Sequence, residues 1–150
     1  MINIEINEII DFAIKEEIRF QKIYSDAAKR TENNALVSML DELSAMEKSH
    51  EEKLKAFKSG KIGEIGNVKV QDLKISEYLS DTEIDDNSNI QDVIVYAMKS
   101  EKKANELYTK LSGLVNTHAE KELFLSLANE ELAHKNQLEK MYEVNFMPEN

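Results

Sequence analysis

Two Glu-x-x-His motifs are the part of the sequence with the clearest chemical potential. Residues three apart lie side by side on one face of a helix, so each motif can present a carboxylate and an imidazole to the same point. A further glutamate lies 30 positions before each motif, which completes the set Glu17, Glu47, His50, Glu101, Glu131 and His134. Oxygen and nitrogen ligands of this kind suit iron, manganese or zinc, and two divalent ions balance four carboxylates. The pattern predicts a site for two iron ions, for which manganese or zinc could substitute.

All six residues interrupt stretches in which apolar residues recur at steps of three and four. The four stretches are Ile10, Ala13, Glu17, Phe20, Tyr24, Ala27; Leu36, Leu40, Leu43, Glu47, His50, Leu54, Phe57; Ile94, Ala97, Glu101, Ala104, Tyr108, Leu111; and Phe124, Leu127, Glu131, His134, Leu138, Met141. Such spacing is typical of the buried seam of a helix bundle. An ionised carboxylate there is strongly unfavourable unless something compensates it. A seam-edge glutamate or a hydrogen-bonded core histidine would explain one such residue, but a cation explains all six in register.

The second half of the chain repeats the first after a shift of 84 positions, without a gap. The shift superposes Ile10 on Ile94, Ala13 on Ala97, Glu17 on Glu101, Tyr24 on Tyr108, Leu43 on Leu127, Glu47 on Glu131, His50 on His134 and Leu54 on Leu138. We therefore expect two copies of one helical hairpin. Short links make the helices of each hairpin antiparallel neighbours, and two hairpins with the same direction require a long crossover between them.

These patterns predict an all-α four-helix bundle in a single domain. The expected parts are a first hairpin at about residues 4–58, a crossover at about 59–88 and a second hairpin at about 89–144. The residues expected to cap helices two to four are Asn33 or Asn34, Ser88 or Asn89, and the capping box Thr117–Glu120. The crossover can form a short helix near Asp72–Leu79.

The composition limits the classes of protein to consider. Apolar residues make up 41% of the 150 residues and charged residues 32%, with one proline and four glycines, which favours long helices. A net charge of −10 argues against nucleic acid and anionic membranes as partners. The absence of cysteine excludes disulfides, Cys-bound iron–sulfur centres and thiol catalysis within these residues. There is no apolar run long enough to span a bilayer and no signal peptide, so we expect a cytoplasmic protein.

For several other residues near the seam, the sequence indicates a functional role less clearly. Tyr24 and Tyr108 lie two helical turns after Glu17 and Glu101, where they could hydrogen-bond a metal ligand or simply form part of the core. Glu130 could orient a histidine ligand, although a surface carboxylate is the simpler interpretation. The methionines Met39, Met46 and Met141 are expected to contribute packing.

The pattern of six ligands and two tyrosines resembles the rubrerythrin family within the ferritin-like superfamily. Residues 72–79, DLKISEYL, and residues 97–104, AMKSEKKA, also look like sequence of that family. The resemblance implies that Glu47 and Glu131 bridge two irons, that Glu17 and Glu101 are terminal ligands, and that each histidine binds one iron. It further implies a homodimeric di-iron oxidoreductase of oxidative-stress defence. Such an enzyme reduces hydrogen peroxide or dioxygen with electrons from an external donor protein.

Two features differ from typical members of that family. Typical members carry a rubredoxin-like domain, whose Cys-bound iron feeds electrons to the di-iron site. These 150 residues contain no cysteine and therefore do not include such a domain. Ala104 occupies the position of a further glutamate, which leaves a ligand set nearer to that of bacterioferritin-like ferroxidase sites. The alternative function is therefore a ferroxidase or iron-storage protein of the ferritin type. A metal-free or zinc-holding structural bundle is a third interpretation.

Overall fold

The computed structural model of the chain describes residues 3–59, 69–71, 78, 84–85 and 87–146. Its elements in chain order are β1 (Asn3–Glu5), α1 (Ile6–Ala28), α2 (Asn34–Lys58), β2 (Lys69–Gln71), α3 (Ile90–Ser112) and α4 (His118–Phe146). The four helices confirm the predicted all-α four-helix bundle. No helix among these residues is long and apolar enough to cross a membrane.

The helix bounds reproduce the internal repeat of the sequence. Helix α1 begins at Ile6 and α3 at Ile90, while α2 begins at Asn34 and α4 at His118, so both pairs of starts are 84 positions apart. The most extensive contacts in the bundle join α1 to α2 and α3 to α4, and smaller contacts join α1 to α3 and α2 to α4. Each half of the chain therefore forms one hairpin, as predicted, and the two hairpins pack against each other.

The helix starts follow the predicted capping residues. The side chains of Asn33 and Asn89 each accept a hydrogen bond from the backbone N–H three residues further on, at 3.1 and 2.8 Å. Thr117 and Glu120 exchange the reciprocal hydrogen bonds of a capping box, both at 3.2 Å. These side chains satisfy backbone donors that a helix leaves unpaired at its N-terminus, so they fix where the ligand-bearing helices begin.

A two-stranded ribbon was not predicted from the sequence. Strand β1 pairs with β2 in antiparallel register, with Ile4 opposite Val70. The first helix consequently begins at Ile6, whereas the first hairpin was expected from about residue 4. The ribbon ties the start of the chain to the segment between the hairpins. Apart from Tyr78, the short helix predicted at 72–79 lies outside the described residues.

The apolar core consists of two clusters at opposite ends of the bundle. One cluster includes Ile9 and Leu111 and contains the edge-to-face pair Phe57 and Phe124, whose ring centroids are 5.1 Å apart. The other is built around residues such as Phe20 and Leu40. Each cluster draws buried side chains from all four helices. Between them, at the middle of the bundle, lies a layer of buried polar side chains.

Candidate metal centre

All six predicted ligands lie together in the polar layer between the two apolar clusters. Glu17, Glu47, His50, Glu101 and Glu131 have no exposed surface, and His134 is 2% exposed. Each helix contributes from its seam, with one glutamate from α1, one from α3 and a Glu-x-x-His motif from both α2 and α4. The arrangement encloses four carboxylates where water does not reach them.

The six side chains form two overlapping groups with the geometry of metal sites. Glu17 and His50 complete one group and Glu101 and His134 the other, and both groups also contain Glu47 and Glu131. Within each group the four donor atoms all lie within 4.8 Å of one another. Glu47 and Glu131 are thus the two carboxylates common to both groups.

The two histidines direct the same ring nitrogen into the centre. His50 Nδ1 lies 2.7 Å from Glu131 Oε1, and His134 Nδ1 lies 2.7 Å from Glu47 Oε1. Each histidine thus faces a carboxylate of the opposite hairpin. The rings are stacked with centroids 5.8 Å apart. In both residues Nε2 points away from the four buried ligand carboxylates, so Nδ1 is the nitrogen available to a metal.

Both seam tyrosines donate hydrogen bonds to the terminal glutamates across the bundle. Tyr24 Oη donates to Glu101 Oε1 at 2.5 Å, and Tyr108 Oη donates to Glu17 Oε1 at 2.6 Å. Both tyrosines are fully buried. Each bond occupies Oε1 of its carboxylate and holds the side chain in place, while Oε2 is left without a hydrogen-bond partner.

Several buried atoms of the cluster have no hydrogen-bond partner. They are Glu17 Oε2, Glu47 Oε2, His50 Nδ1, Glu101 Oε2 and both carboxylate oxygens of Glu131. A buried polar group left unsatisfied destabilises the fold by roughly 1–3 kcal/mol, and more when it is charged. His50 Nδ1 and Glu131 Oε1 are close enough for an ion pair but lack the alignment of a hydrogen bond. The donor set therefore fits divalent cations, which would coordinate these same atoms.

Proton affinities within the cluster are strongly perturbed. Burial and the neighbouring carboxylates raise the pKa of Glu17 and Glu131 well above the usual value. Burial favours the neutral form of His50 too, but the nearby carboxyl groups of Glu17 and Glu47 prevail and raise its pKa to about 11. Contacts with Glu101 and Glu47 likewise raise the pKa of His134 to about 9. Without metal, the cluster retains protons that partly neutralise its surplus negative charge.

Glu47 is the exception among the four carboxyl groups. Although burial would raise its pKa, the neighbouring Glu17, the hydrogen bond with His134 and the nearby His50 lower the pKa below its ordinary value. The pKa of Glu101 is raised, chiefly by burial and the charge of Glu47. Glu47, one of the two carboxylates common to both candidate metal groups, is thus the carboxyl group whose ionised form the neighbouring side chains favour.

The sequence favoured a surface role for Glu130 and a packing role for Met46, but both residues contact the outer side of a candidate histidine ligand. Glu130 Oε2 accepts a hydrogen bond from His50 Nε2, so it is more than a surface carboxylate. Met46 Sδ lies 3.4 Å from His134 Nε2, and Met46 is 41% exposed rather than packed in the core. The internal repeat contained a signal for both, because the same shift of 84 positions superposes Met46 on Glu130.

A small cavity of about 10 Å³ lies beside the centre between α1 and α3. Its lining includes Phe20, Tyr108, Ala104 and Ser100, whose buried hydroxyl has no hydrogen-bond partner. A cavity of this size is at the lower limit for a single water molecule. Ala104 thus leaves a small space at the position where the resemblance to the rubrerythrin family implies a further glutamate.

The rubrerythrin family model matches residues 92–150, a segment that contains Glu101, Glu131 and His134. The fold is similar to that of a hypothetical protein from Pyrococcus furiosus, with a TM-score of 0.70 and 29% sequence identity. That similarity covers 90% of this chain and 86% of the other chain. No curated protein matches the sequence. The family match confirms the predicted resemblance to rubrerythrins and, with it, the ferritin-like character of the bundle.

Proposed function

We propose that the bundle binds two iron ions and acts as a rubrerythrin-type oxidoreductase that reduces hydrogen peroxide or dioxygen. The observation that carries this proposal is the set of buried, unpartnered donor atoms on Glu17, Glu47, Glu101, Glu131 and His50. A protein core rarely contains such atoms without a ligand to satisfy them. The similarity of residues 92–150 to rubrerythrins supports iron as the metal.

The side chains of the centre have different roles in metal binding. Glu47 and Glu131 belong to both candidate groups and would help to hold both ions. The bonds from Tyr24 and Tyr108 hold the two terminal carboxylates in position. The two apolar clusters that cover the layer on both sides exclude bulk water, which strengthens electrostatic interactions within it.

When bound, two ferrous ions supply the two electrons that convert hydrogen peroxide and two protons into two water molecules. The 150 residues contain no cysteine and hence no Cys-bound iron of their own. We therefore assign the re-reduction to an external electron-donor protein. The protein residues contribute ligand positions, orientation and a dry environment rather than electrons.

Anaerobic titration with Fe(II) followed by rapid mixing with peroxide tests this function. We expect two irons per chain and oxidation faster than that of free ferrous iron. Glu131→Ala should greatly reduce both, because Glu131 belongs to both groups. Glu143→Ala, at an exposed position of the same helix, is the matched control. Iron binding without accelerated oxidation would refute the oxidoreductase and leave a binding role.

A ferroxidase or iron-storage protein is the second candidate. It is favoured by Ala104, which lines the cavity between α1 and α3 and adds no fifth ligand carboxylate to the centre. Size-exclusion chromatography after iron loading separates the two candidates. A particle of many subunits that retains ferric mineral would support storage, whereas a dimer that returns to two irons per chain after re-reduction would support the oxidoreductase.

A further inference from the structure

The two candidate metal positions have equivalent ligands, but the side chains that contact the outer side of their histidines differ. The inward contacts of His50 and His134 are matched, since each Nδ1 lies 2.7 Å from a carboxylate of the other hairpin. The outward contacts differ. His50 Nε2 meets the carboxylate of Glu130, while His134 Nε2 meets the thioether of Met46. The 84-residue repeat makes Glu130 and Met46 equivalent positions, so the difference is one substitution within an otherwise repeated pattern.

This difference alters how strongly each ring can bind a metal. A metal on Nδ1 requires that nitrogen to be deprotonated, so the remaining ring proton resides on Nε2 and is donated outward. A carboxylate accepts that proton strongly, which makes the imidazole a better electron donor to the metal and fixes its orientation. A thioether sulfur is a weak acceptor, and the Met46 contact is long at 3.4 Å.

From this geometry we infer that the two metal positions have unequal affinities, with Glu130 as the positioning residue that makes the His50 position the tighter one. The inference rests on the proposed function because it requires that two metal ions bind. Loss of a partner that orients a histidine ligand typically weakens metal binding by about 10- to 100-fold. We expect a difference of that order between the first and the second ion.

The location of both side chains makes the inference accessible to mutation. The Glu130 side chain is 34% exposed, and Met46 is 41% exposed, so both lie at the rim of the bundle rather than in the apolar clusters. At partly exposed positions a change of side chain neither creates a cavity in the apolar core nor overpacks it. Exchange of the two side chain types is therefore expected to leave the fold and all six ligands intact.

Anaerobic calorimetric titration of the metal-free protein with Co(II) measures both affinities without any redox reaction. The wild type should show two steps. Glu130→Met should weaken the first by about 10- to 100-fold and merge the two. Met46→Glu should strengthen the second step. His134→Ala should retain the tight step and His50→Ala the weak one, which assigns each step to its position.

Two further variants separate hydrogen bonding from simple attraction by negative charge. Glu130→Gln keeps an acceptor oxygen without the charge, so its first dissociation constant should fall between those of the wild type and Glu130→Met. Glu143→Gln removes an exposed charge from the same helix and should change neither step. Two indistinguishable steps in the wild type, or an unchanged first step in Glu130→Met, would overturn the inference alone. Absence of Co(II) binding would overturn the proposed function as well.

Discussion

Replacement of Glu131 by glutamine should stabilise the metal-free protein while it weakens metal binding. Both carboxylate oxygens of Glu131 are buried without a hydrogen-bond partner, and burial together with the nearby carboxylates raises its pKa well above the usual value. At neutral pH this carboxyl is ionised in the unfolded chain, whereas burial in the fold disfavours the ionised form, so replacement by a neutral amide is expected to raise the free energy of unfolding by about 1–3 kcal/mol. For a chain of this length, each kcal/mol shifts the melting temperature by roughly 2–4 °C.

The gain from Glu131→Gln should depend on pH in a defined direction. Below about pH 4 the carboxyl is protonated in both the folded and the unfolded chain, so the substitution should have little effect. As pH rises, the unfolded chain releases the proton first because the folded pKa is raised. The wild type therefore loses stability relative to the variant, and the difference should increase from pH 4 towards pH 8.

Thermal denaturation with a chelator, and again with excess Co(II), measures both effects. Metal should raise the melting temperature of the wild type strongly, since a ligand at 100 times its dissociation constant contributes about 2.7 kcal/mol. In Glu131→Gln that increment should shrink. The control Glu143→Gln should change stability by less than about 0.5 kcal/mol. A metal-free Glu131→Gln protein that is less stable than the wild type at pH 8 would refute the view that surplus carboxylate charge destabilises the centre.

Three more changes have defined outcomes. Tyr108→Phe removes the hydrogen bond to Glu17 and should reduce metal-free stability by about 1–3 kcal/mol in urea denaturation, whereas an unchanged midpoint would contradict that bond. Because the folded pKa of His134 is raised to about 9, its stabilising contribution is complete below pH 6.5 and is lost towards pH 9. The chelated wild type should melt at lower temperature across that range, and a constant melting temperature would argue against this assignment. Asn33→Ala should lower stability by about 1 kcal/mol through loss of a helix cap, with metal stoichiometry unchanged; altered stoichiometry would show that the cap also shapes the centre.

The sequence was sufficient to predict the four helices and the convergence of six side chains. The reason lies in periodicity, because the steps of three and four through Glu17 or Glu131 define a helical face without knowledge of its neighbours. Caps such as Asn33 were equally local, since a cap bonds to backbone only three residues away. Features that depend on short sequence separations were therefore predictable.

Features that depend on contacts between helices were not predictable from the sequence. The hydrogen bond between Glu130 and His50 joins residues of different hairpins, and no local pattern distinguishes Glu130 from a solvated glutamate. The pairing of β1 with β2 likewise links segments that are distant in the chain and only three residues long. The repeat identified equivalent positions, but the relative rotation of the helices was needed to show which of them meet.

Each candidate metal group combines ligands from both hairpins, and this sharing bears on how such a centre can change over evolutionary time. Each hairpin contributes the same three-residue unit, and each candidate metal group takes three side chains from one hairpin and one from the other. A duplicated hairpin would thus specify the whole centre from a single ancestral unit. Once both units lie in one chain, a substitution on one side, such as methionine at position 46 against glutamate at position 130, differentiates two metal positions that identical subunits would have to keep alike.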